Sequence, residues 1–153
     1  MSLIVQKFGG TSVASIARIE NVAKKIIASR RLGHDVVVVV SAMGLETDRL
    51  DDLFREIGVS GPEMNREVDV LLSTGEQVSI ALVAMMLMKL GCRAKSYTGG
   101  QVRIVTDETH TKARIVEIDD ARLRADLAAG LVPVVAGFQG VDTKGSITTL
   151  GRG

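Results

Sequence analysis

The sequence predicts an α/β fold built on a mainly parallel β-sheet. Two observations lead to this prediction. Residues 36–40 are five consecutive valines, and a strand that is apolar on both faces is typical of a parallel sheet covered by helices. An apolar run at Leu3 to Val5, a helical pattern from Val13 and the valine strand follow one another within forty residues, which indicates a right-handed βαβ unit.

The first helix is predicted from the spacing of its apolar residues. They recur at intervals of three and four, at Val13, Ile16, Ile19, Val22, Ala23, Ile26 and Ile27. Such spacing indicates a helix with one buried face, here ended by Gly33. The run at Leu3 to Val5 is predicted to be a buried strand.

A second helix is predicted after the valine strand, with Thr47 or Asp48 as its N-cap and apolar positions through Ile57. A long helical pattern then covers Glu63 to Leu90. Because glycine inside a helix costs about 1 kcal/mol, we predict a break at Gly75, with Ser73 or Thr74 capping a new helix.

The part of this pattern after Val78 is apolar on nearly every side. It is therefore predicted to be buried. Met85, Met86 and Met88 are interpreted as core residues and not as a ligand-binding stripe.

The second half of the chain shows further strand patterns and one helix. Strands are predicted at 93–97, 102–106, 113–118, 132–136 and 147–150. Residues 102–118 are interpreted as a hairpin-like excursion, and a helix capped by Asp119 or Asp120 is closed by Gly130.

Four loops rich in small residues follow four of the predicted parallel strands. They lie at Gly9-Gly10, Ser41 to Thr47, Thr98 to Gln101 and Gly137 to Gly140. The carboxyl ends of parallel strands share one edge of a sheet, so we expect these loops to converge. In the first loop, glycines between a strand and a helix start, with Lys7 beside them, predict a site for a transferred phosphoryl group.

Composition excludes several classes of function. The net charge is +1 with both signs interspersed, which argues against a nucleic-acid partner. No apolar run approaches the ~20 residues of a membrane span, and no secretory pattern opens the chain. Cys92 is the single cysteine, so no disulfide framework or zinc site is expected, and we expect a cytoplasmic protein.

Other catalytic patterns are missing from the sequence. There is no Ser-His-Asp arrangement and no cluster of histidine and cysteine suited to a metal. His34 and His110 are interpreted as surface or supporting residues. The dinucleotide fingerprint and the Walker A pattern are both absent, which disfavours an ordinary dehydrogenase or a P-loop enzyme.

Several motifs in one register resemble the aspartate kinases of the amino acid kinase family. They are Lys7-Phe8-Gly9-Gly10-Thr11-Ser12, Ser41-Ala42-Met43-Gly44, Leu72 to Gln77, Val135 to Gly140 and Thr148 to Gly153. The resemblance covers residues 1–153 and implies a three-layer αβα sandwich. The chain corresponds to the N-terminal part of the kinase domain. In the family, most of the nucleotide pocket and the regulatory ACT domains come later.

The resemblance implies ATP-dependent phosphorylation of the side-chain carboxylate of L-aspartate, the entry to lysine, threonine and methionine synthesis. It assigns Lys7, Gly9 and Gly10 to catalysis at the phosphoryl group, and Thr11 and Ser12 join them in binding ATP. It assigns the substrate pocket to Ser41, Thr47, Glu76, Phe138 and Arg152. Glu76 would take the ammonium group of aspartate and Arg152 a carboxylate.

The resemblance also sets expectations for cofactors and assembly. Mg²⁺ would accompany ATP, but no residue of this chain is assigned to it. The full-length protein is expected to be a homo-oligomer. The isolated chain is expected to bind ATP weakly and to show no turnover. Many relatives have threonine where this chain has Glu46, which adds a negative charge near an anionic substrate.

Two alternatives stay open from the sequence. One is a sister kinase acting on acetylglutamate, glutamate or carbamate, although the segments around Gly75 and Phe138 favour aspartate. The other is a non-catalytic binding or assembly module that retains the motifs.

Overall fold

A computed structural model describes residues 2–151. In chain order the helices and strands are β1 (Leu3–Phe8), α1 (Ile16–Arg31), β2 (Asp35–Val40), α2 (Glu46–Ile57), α3 (Asn65–Lys89), β3 (Ala94–Tyr97), α4 (Gly99–Val102), β4 (Ile104–Thr106), β5 (Ile115–Ile118), α5 (Ala121–Ala128), β6 (Val132–Ala136), β7 (Gln139–Val141) and β8 (Ile147–Thr149). Short 3-10 helices occupy Gly10–Val13 and Pro62–Met64.

The larger sheet has four parallel strands in the order β1-β2-β6-β3. Its even-numbered valines, such as Val38 and Val134, face a core shared with α1 and α3. Its odd-numbered valines, Val37 and Val135, face a second core with Leu127 of α5. Helices therefore cover both faces, and the predicted three-layer sandwich with a parallel sheet is confirmed.

A smaller mixed sheet has the strand order β5-β4-β7-β8. β4 and β5 pair antiparallel, as the predicted hairpin-like excursion requires. The predicted strand start at Val102 is wrong. Thr98 and Gln101 form a reciprocal capping box, and this local pairing turns residues 99–102 into a helical turn.

The prediction that Leu3 to Val5 is a buried strand is wrong for one face. Leu3 is 49% exposed and Val5 is 63% exposed. β1 lies at the edge of the sheet, and α5 packs on β6 and β2 without covering it. An apolar run therefore identified the strand but not the burial of its outer face.

The predicted break at Gly75 is also wrong, because α3 runs unbroken through it. The hydroxyls of Ser73 and Thr74 do not cap a new helix. They donate to carbonyls three residues earlier, at 2.8 and 2.7 Å. A Cβ at Gly75 would lie 3.0 Å from the Cβ of Ala42, so glycine is present because the helix passes close to the end of β2.

Two of the three methionines interpreted as core residues are exposed. Met85 and Met88 are 58% and 52% exposed, as is Val78 at 50%, whereas Met86 packs against the core. Only one side of α3 faces the sheet and α1, so an evenly apolar helix is not buried evenly.

Pro62–Lys89 is the one helical stretch of residues 2–151 that is long and apolar enough, by length and composition, to cross a membrane. Half of its most apolar window is buried inside the protein. It also buries Asp69 and Glu76 and contacts α1, α2 and β8. These contacts are those of a core helix, which passes the same composition test.

Helix starts differ slightly from the prediction. α1 begins at Ile16 after an N-cap by Ser15, whose hydroxyl accepts from the Arg18 amide at 3.2 Å. α2 begins at Glu46, so Thr47 and Asp48 lie in its first turn and are not its N-cap. At α5, Asp120 is the N-cap residue and the Asp119 carboxylate accepts from the Ala121 amide.

Candidate active site

A cavity of about 290 Å³ lies at the carboxyl edge of the larger sheet. Its wall is formed by the loops after β1, β2 and β6 together with α2 and α3. The lining residues are Gly10, Ser41, Ala42, Gly44, Thr47, Asp48, Leu72, Glu76 and Phe138. Five predicted site residues, Gly10, Ser41, Thr47, Glu76 and Phe138, therefore come together. The loop after β3 contributes no lining residue and contacts the site only indirectly.

Glu76 is the buried acid of this cavity, with 3% of its surface exposed. Its Oε1 accepts a hydrogen bond of 3.2 Å from Nε2 of Gln139, while its buried Oε2 has no hydrogen-bond partner among the described residues. Burial raises the pKa of Glu76 from 4.5 to about 7, although the Gln139 amide, the backbone at Phe138 and Gly137, and the charge of Lys7 act in the opposite direction. A cationic group in the cavity would provide the missing partner.

Gln139 is a site residue that sequence reasoning missed. It is 2% exposed. Its Nε2 also donates to the Ser73 carbonyl at 3.1 Å, and its Oε1 accepts from the Gly99 amide at 3.2 Å. Gln139 thus holds the carboxylate of Glu76 and connects it to the loop after β3. Its motif, Val135 to Gly140, was part of the resemblance, but nothing in the sequence assigned a role to this amide side chain.

The glycine turn after β1 borders this cavity. The Gly9 carbonyl accepts from the Ser12 amide at 3.0 Å, and the Gly10 carbonyl accepts from the Gly44 amide at 2.9 Å. Within residues 2–151, the amides of Gly9 and Gly10 donate no hydrogen bond to the protein. Two backbone donors are thus left for an external acceptor, as an anion site requires.

The two glycines differ in the space around them. A Cβ at Gly10 would lie 3.0 Å from the Ala42 carbonyl oxygen, whereas a Cβ at Gly9 would meet nothing within 4 Å. Gly10 therefore lets the loops after β1 and β2 approach closely. Gly9 leaves open space.

Lys7, Thr11 and Ser12 are exposed and lie outside the cavity wall. Lys7 is near enough for its charge to lower the pKa of Glu76. The expected helix start directly after the glycines is wrong, because residues 10–13 form a 3-10 turn and α1 begins only at Ile16. Any anion here would depend on Lys7 and the turn amides, not on the end of α1.

The Ser41 backbone is fixed at both of its polar groups. Its amide donates to the Phe8 carbonyl at 3.1 Å, and its carbonyl accepts from the Ser79 hydroxyl at 2.7 Å. Glu46, whose negative charge was expected to lie near the anionic substrate, forms an ion pair with Arg49. Its two oxygens accept from Arg49 at 2.6 and 3.0 Å, and this pairing lowers the pKa of Glu46. The cavity wall does not include it.

A second cavity of about 850 Å³ adjoins the first and shares Thr47, Asp48, Leu72 and Phe138 with it. Its far wall consists of residues 111–115 and 149–151. Arg152, which the resemblance assigns to the substrate pocket, lies outside the described residues. In the part of the chain that the structure describes, no group of three or more acidic, histidine or cysteine side chains could hold a metal ion.

The model of the amino acid kinase family matches residues 2–153. The chain belongs to the amino acid kinase family. It is 63% identical to an aspartate kinase of Pseudomonas fluorescens (strain SBW25) over 153 residues, which are 100% of this chain and 37% of the relative. An aspartokinase of Geobacillus stearothermophilus is 57% identical over the same span, again 37% of its length. The chain therefore spans little more than a third of these curated relatives.

Solved structures of this family share the fold. The crystal structure of aspartate kinase from Synechocystis superposes with a TM-score of 0.79 at 47% identity, covering 99% of this chain and 24% of that one. E. coli aspartokinase III, in complex with aspartate and ADP, superposes with a TM-score of 0.80 and covers 100% of this chain and 44% of its own. The sequence identity between the two chains is 23%, so this structural similarity shows a shared fold and nothing more.

Proposed function

We propose that this chain is the substrate-side, N-terminal part of the kinase domain of an aspartate kinase, residues 1–153. The full-length enzyme would transfer the terminal phosphoryl group of ATP to the side-chain carboxylate of L-aspartate, giving 4-phospho-L-aspartate. The observation that carries this proposal is Glu76, a buried acid with an unpartnered oxygen on the wall of a small cavity. The names of the relatives support the same activity.

Glu76 is suited to the ammonium group of a free amino acid. A buried carboxylate is destabilised until a cation pairs with it, and the ammonium group of aspartate would replace the missing partner of Oε2. Acetylglutamate and carbamate have no ammonium group, so Glu76 favours aspartate over those sister substrates. Arg152 would bind a carboxylate of aspartate as a planar fork, and Ser41, Thr47 and Phe138 would shape the pocket.

The phosphoryl group is proposed to lie at the turn after β1. The acceptor carboxylate has a pKa of ~3.9 and is already ionised at neutral pH, so no general base is needed. The remaining task is to align two anions and offset their repulsion. Lys7 supplies a positive charge, and the free amides of Gly9 and Gly10 supply donors to the transferred group. Thr11 and Ser12 continue this turn toward ATP.

The rest of the assignment extends from the same proposal. Mg²⁺ would accompany ATP and neutralise phosphate charge, with no ligand assigned to it in this chain. The product would enter lysine, threonine and methionine synthesis in the cytoplasm, and the full-length protein would be a homo-oligomer. The isolated chain is proposed to lack turnover, which a hydroxamate assay measures directly.

The test is steady-state kinetics of the full-length enzyme carrying Lys7→Ala or Glu76→Ala. Lys7→Ala should lower kcat by about 10²–10³, because it removes a preorganised contact to the transferred group. Glu76→Ala should mainly raise the KM for aspartate. Lys24→Ala and Glu67→Ala remove exposed charges on α1 and α3 and serve as matched controls.

Two outcomes would contradict the assignment. If Lys7→Ala leaves kcat at the level of Lys24→Ala, the phosphoryl site is elsewhere. If N-acetylaspartate is phosphorylated with the same kcat/KM as aspartate, Glu76 does not recognise an ammonium group.

A further inference from the structure

A buried polar cluster lies behind the second cavity, outside the site assigned above. Its centre is Asp69 of α3, which is 0% exposed. The Asp69 carboxylate accepts from the Thr149 hydroxyl at 2.6 Å and from the Thr111 amide at 3.1 Å. Its Oδ2 lies 2.8 Å from Nδ1 of His110. A single side chain of α3 therefore contacts both the segment before β5 and strand β8.

His110 lies between two carboxylates. Its Nε2 is 3.7 Å from the Asp142 carboxylate, and its side chain is 16% exposed. Asp142 in turn accepts from the amides of Lys144 and Ser146 at 2.9 Å. The imidazole thus connects α3 to the turn between β7 and β8.

Thr111 has a backbone conformation that is costly for its residue type. Its φ is +71°, a region that β-branched residues rarely adopt. Strained backbone persists only where the surroundings determine it. Here the Thr111 amide donates to Asp69, and the neighbouring His110 contacts the same carboxylate, so Asp69 contributes directly to holding this conformation.

The cluster controls the wall of the second cavity. Residues 111–115 follow His110 directly, and Thr149 begins the segment 149–151, so both parts of the far wall are attached to Asp69. Asp69 and Glu76 lie seven residues apart on one unbroken helix. Asp69 therefore ties the far wall of the second cavity to the same helix that carries Glu76, and across this cavity the wall faces Thr47 and Phe138.

We propose that Asp69, His110 and Thr149 are positioning residues for the substrate, which hold the 110–115 segment and β8 against α3 and so fix the wall that faces Thr47 and Phe138 across the second cavity. The proposal rests on the function proposed above, since Thr47 and Phe138 are residues assigned there to the substrate pocket. None of the three side chains contacts the transferred group. Their loss should weaken aspartate binding without slowing phosphoryl transfer.

The test uses steady-state kinetics of the full-length enzyme with aspartate and ATP varied separately. Thr149→Val and His110→Ala should each raise the KM for aspartate about tenfold, the effect of losing one hydrogen bond to a charged group. The values of kcat and of the KM for ATP should stay within about twofold of wild type. His110→Asn places an amide near the position of Nδ1 and should restore most of the aspartate affinity.

Thr106→Val is the matched control. Thr106 is as buried as Thr149, each being 1% exposed. The Thr106 hydroxyl hydrogen-bonds to the Asp107 carbonyl and the Thr148 hydroxyl, and it has no hydrogen bond to Asp69. It should lower the melting temperature as Thr149→Val does, yet leave the KM for aspartate unchanged. Melting curves of all variants show whether stability alone accounts for any effect.

The outcomes separate the two proposals. A wild-type enzyme that does not phosphorylate aspartate would refute the proposed function. An active wild type whose Thr149→Val and His110→Ala variants keep the aspartate KM of Thr106→Val would refute the positioning role. Equal losses of kcat and of aspartate affinity in every variant, including His110→Asn, would refute it as well.

Discussion

The buried acid Glu76 leads to a defined dependence of stability on pH. The pKa of Glu76 is raised from 4.5 to about 7 in the folded chain, chiefly by burial. Between these values the folded state holds a proton that the unfolded state has lost. Stability from this group is therefore greatest below pH 4.5 and is lost as pH rises through about 7. At 1.36 kcal/mol per pH unit, the total change is about 3 kcal/mol.

Glu76→Gln removes this titration while keeping the shape of the side chain and an oxygen that can accept from Gln139. We expect the unfolding free energy of wild type, relative to that of the variant, to fall by about 3 kcal/mol between pH 4.5 and pH 8. Urea unfolding should be followed by circular dichroism, since the chain has no tryptophan and one tyrosine. Glu67→Gln changes an exposed acid on the same helix and should follow the wild-type curve.

Parallel pH curves for wild type and Glu76→Gln would refute the reasoning, because they would mean that the carboxyl group is equally hydrated in both states. A wild-type unfolding free energy that rises with pH, relative to that of the variant, would refute it too. It would show that the native state favours the ionised form.

Two further predictions concern the elements that hold Glu76. Gln139→Leu keeps the side-chain volume but removes the hydrogen-bond partner of Glu76, Ser73 and Gly99, so it should destabilise the chain by about 3 kcal/mol in urea unfolding. The control, Gln101→Leu, changes an exposed capping position and should cost about 1 kcal/mol. Equal costs for the two variants would contradict the central role of Gln139. Gly75→Ala would gain about 1 kcal/mol of helix propensity, yet its Cβ would lie 3.0 Å from that of Ala42. We expect a net loss of about 1–2 kcal/mol by calorimetry, and a variant as stable as wild type would show that α3 moves away easily.

The architecture was predictable because its main signal is local. Runs of valine identify strands covered on both sides, and glycines and capping residues mark their ends. The failures concern which surface an element faces. Leu3 and Met85 are apolar in sequence, but whether they are covered depends on helices far away in the chain. At Gly75, the close approach of Ala42 decided the residue type, and helix propensity did not.

The candidate site was predictable to the extent that its residues lie in motifs. Glu76 and Phe138 were identified through the resemblance, whereas spacing alone indicated only an anion site near Lys7. Gln139 is 63 residues from Glu76, and His110 is 41 residues from Asp69. Such contacts join single polar residues across the chain and leave no periodic signal, so only the folded structure reveals them.

The central position of β6 has a consequence for how this site is made during protein synthesis. β6 lies between β2 and β3, although it follows both of them in sequence. During translation, the first 131 residues can form helices and the β1–β2 pair, but the sheet stays open until β6 enters it. Gln139 emerges still later, so the carboxylate of Glu76 remains hydrated until the last strands are in place. The acid is therefore buried only when the sheet closes, and a chain that ended before β6 would lack both the central strand and the hydrogen bond from Gln139 to Glu76.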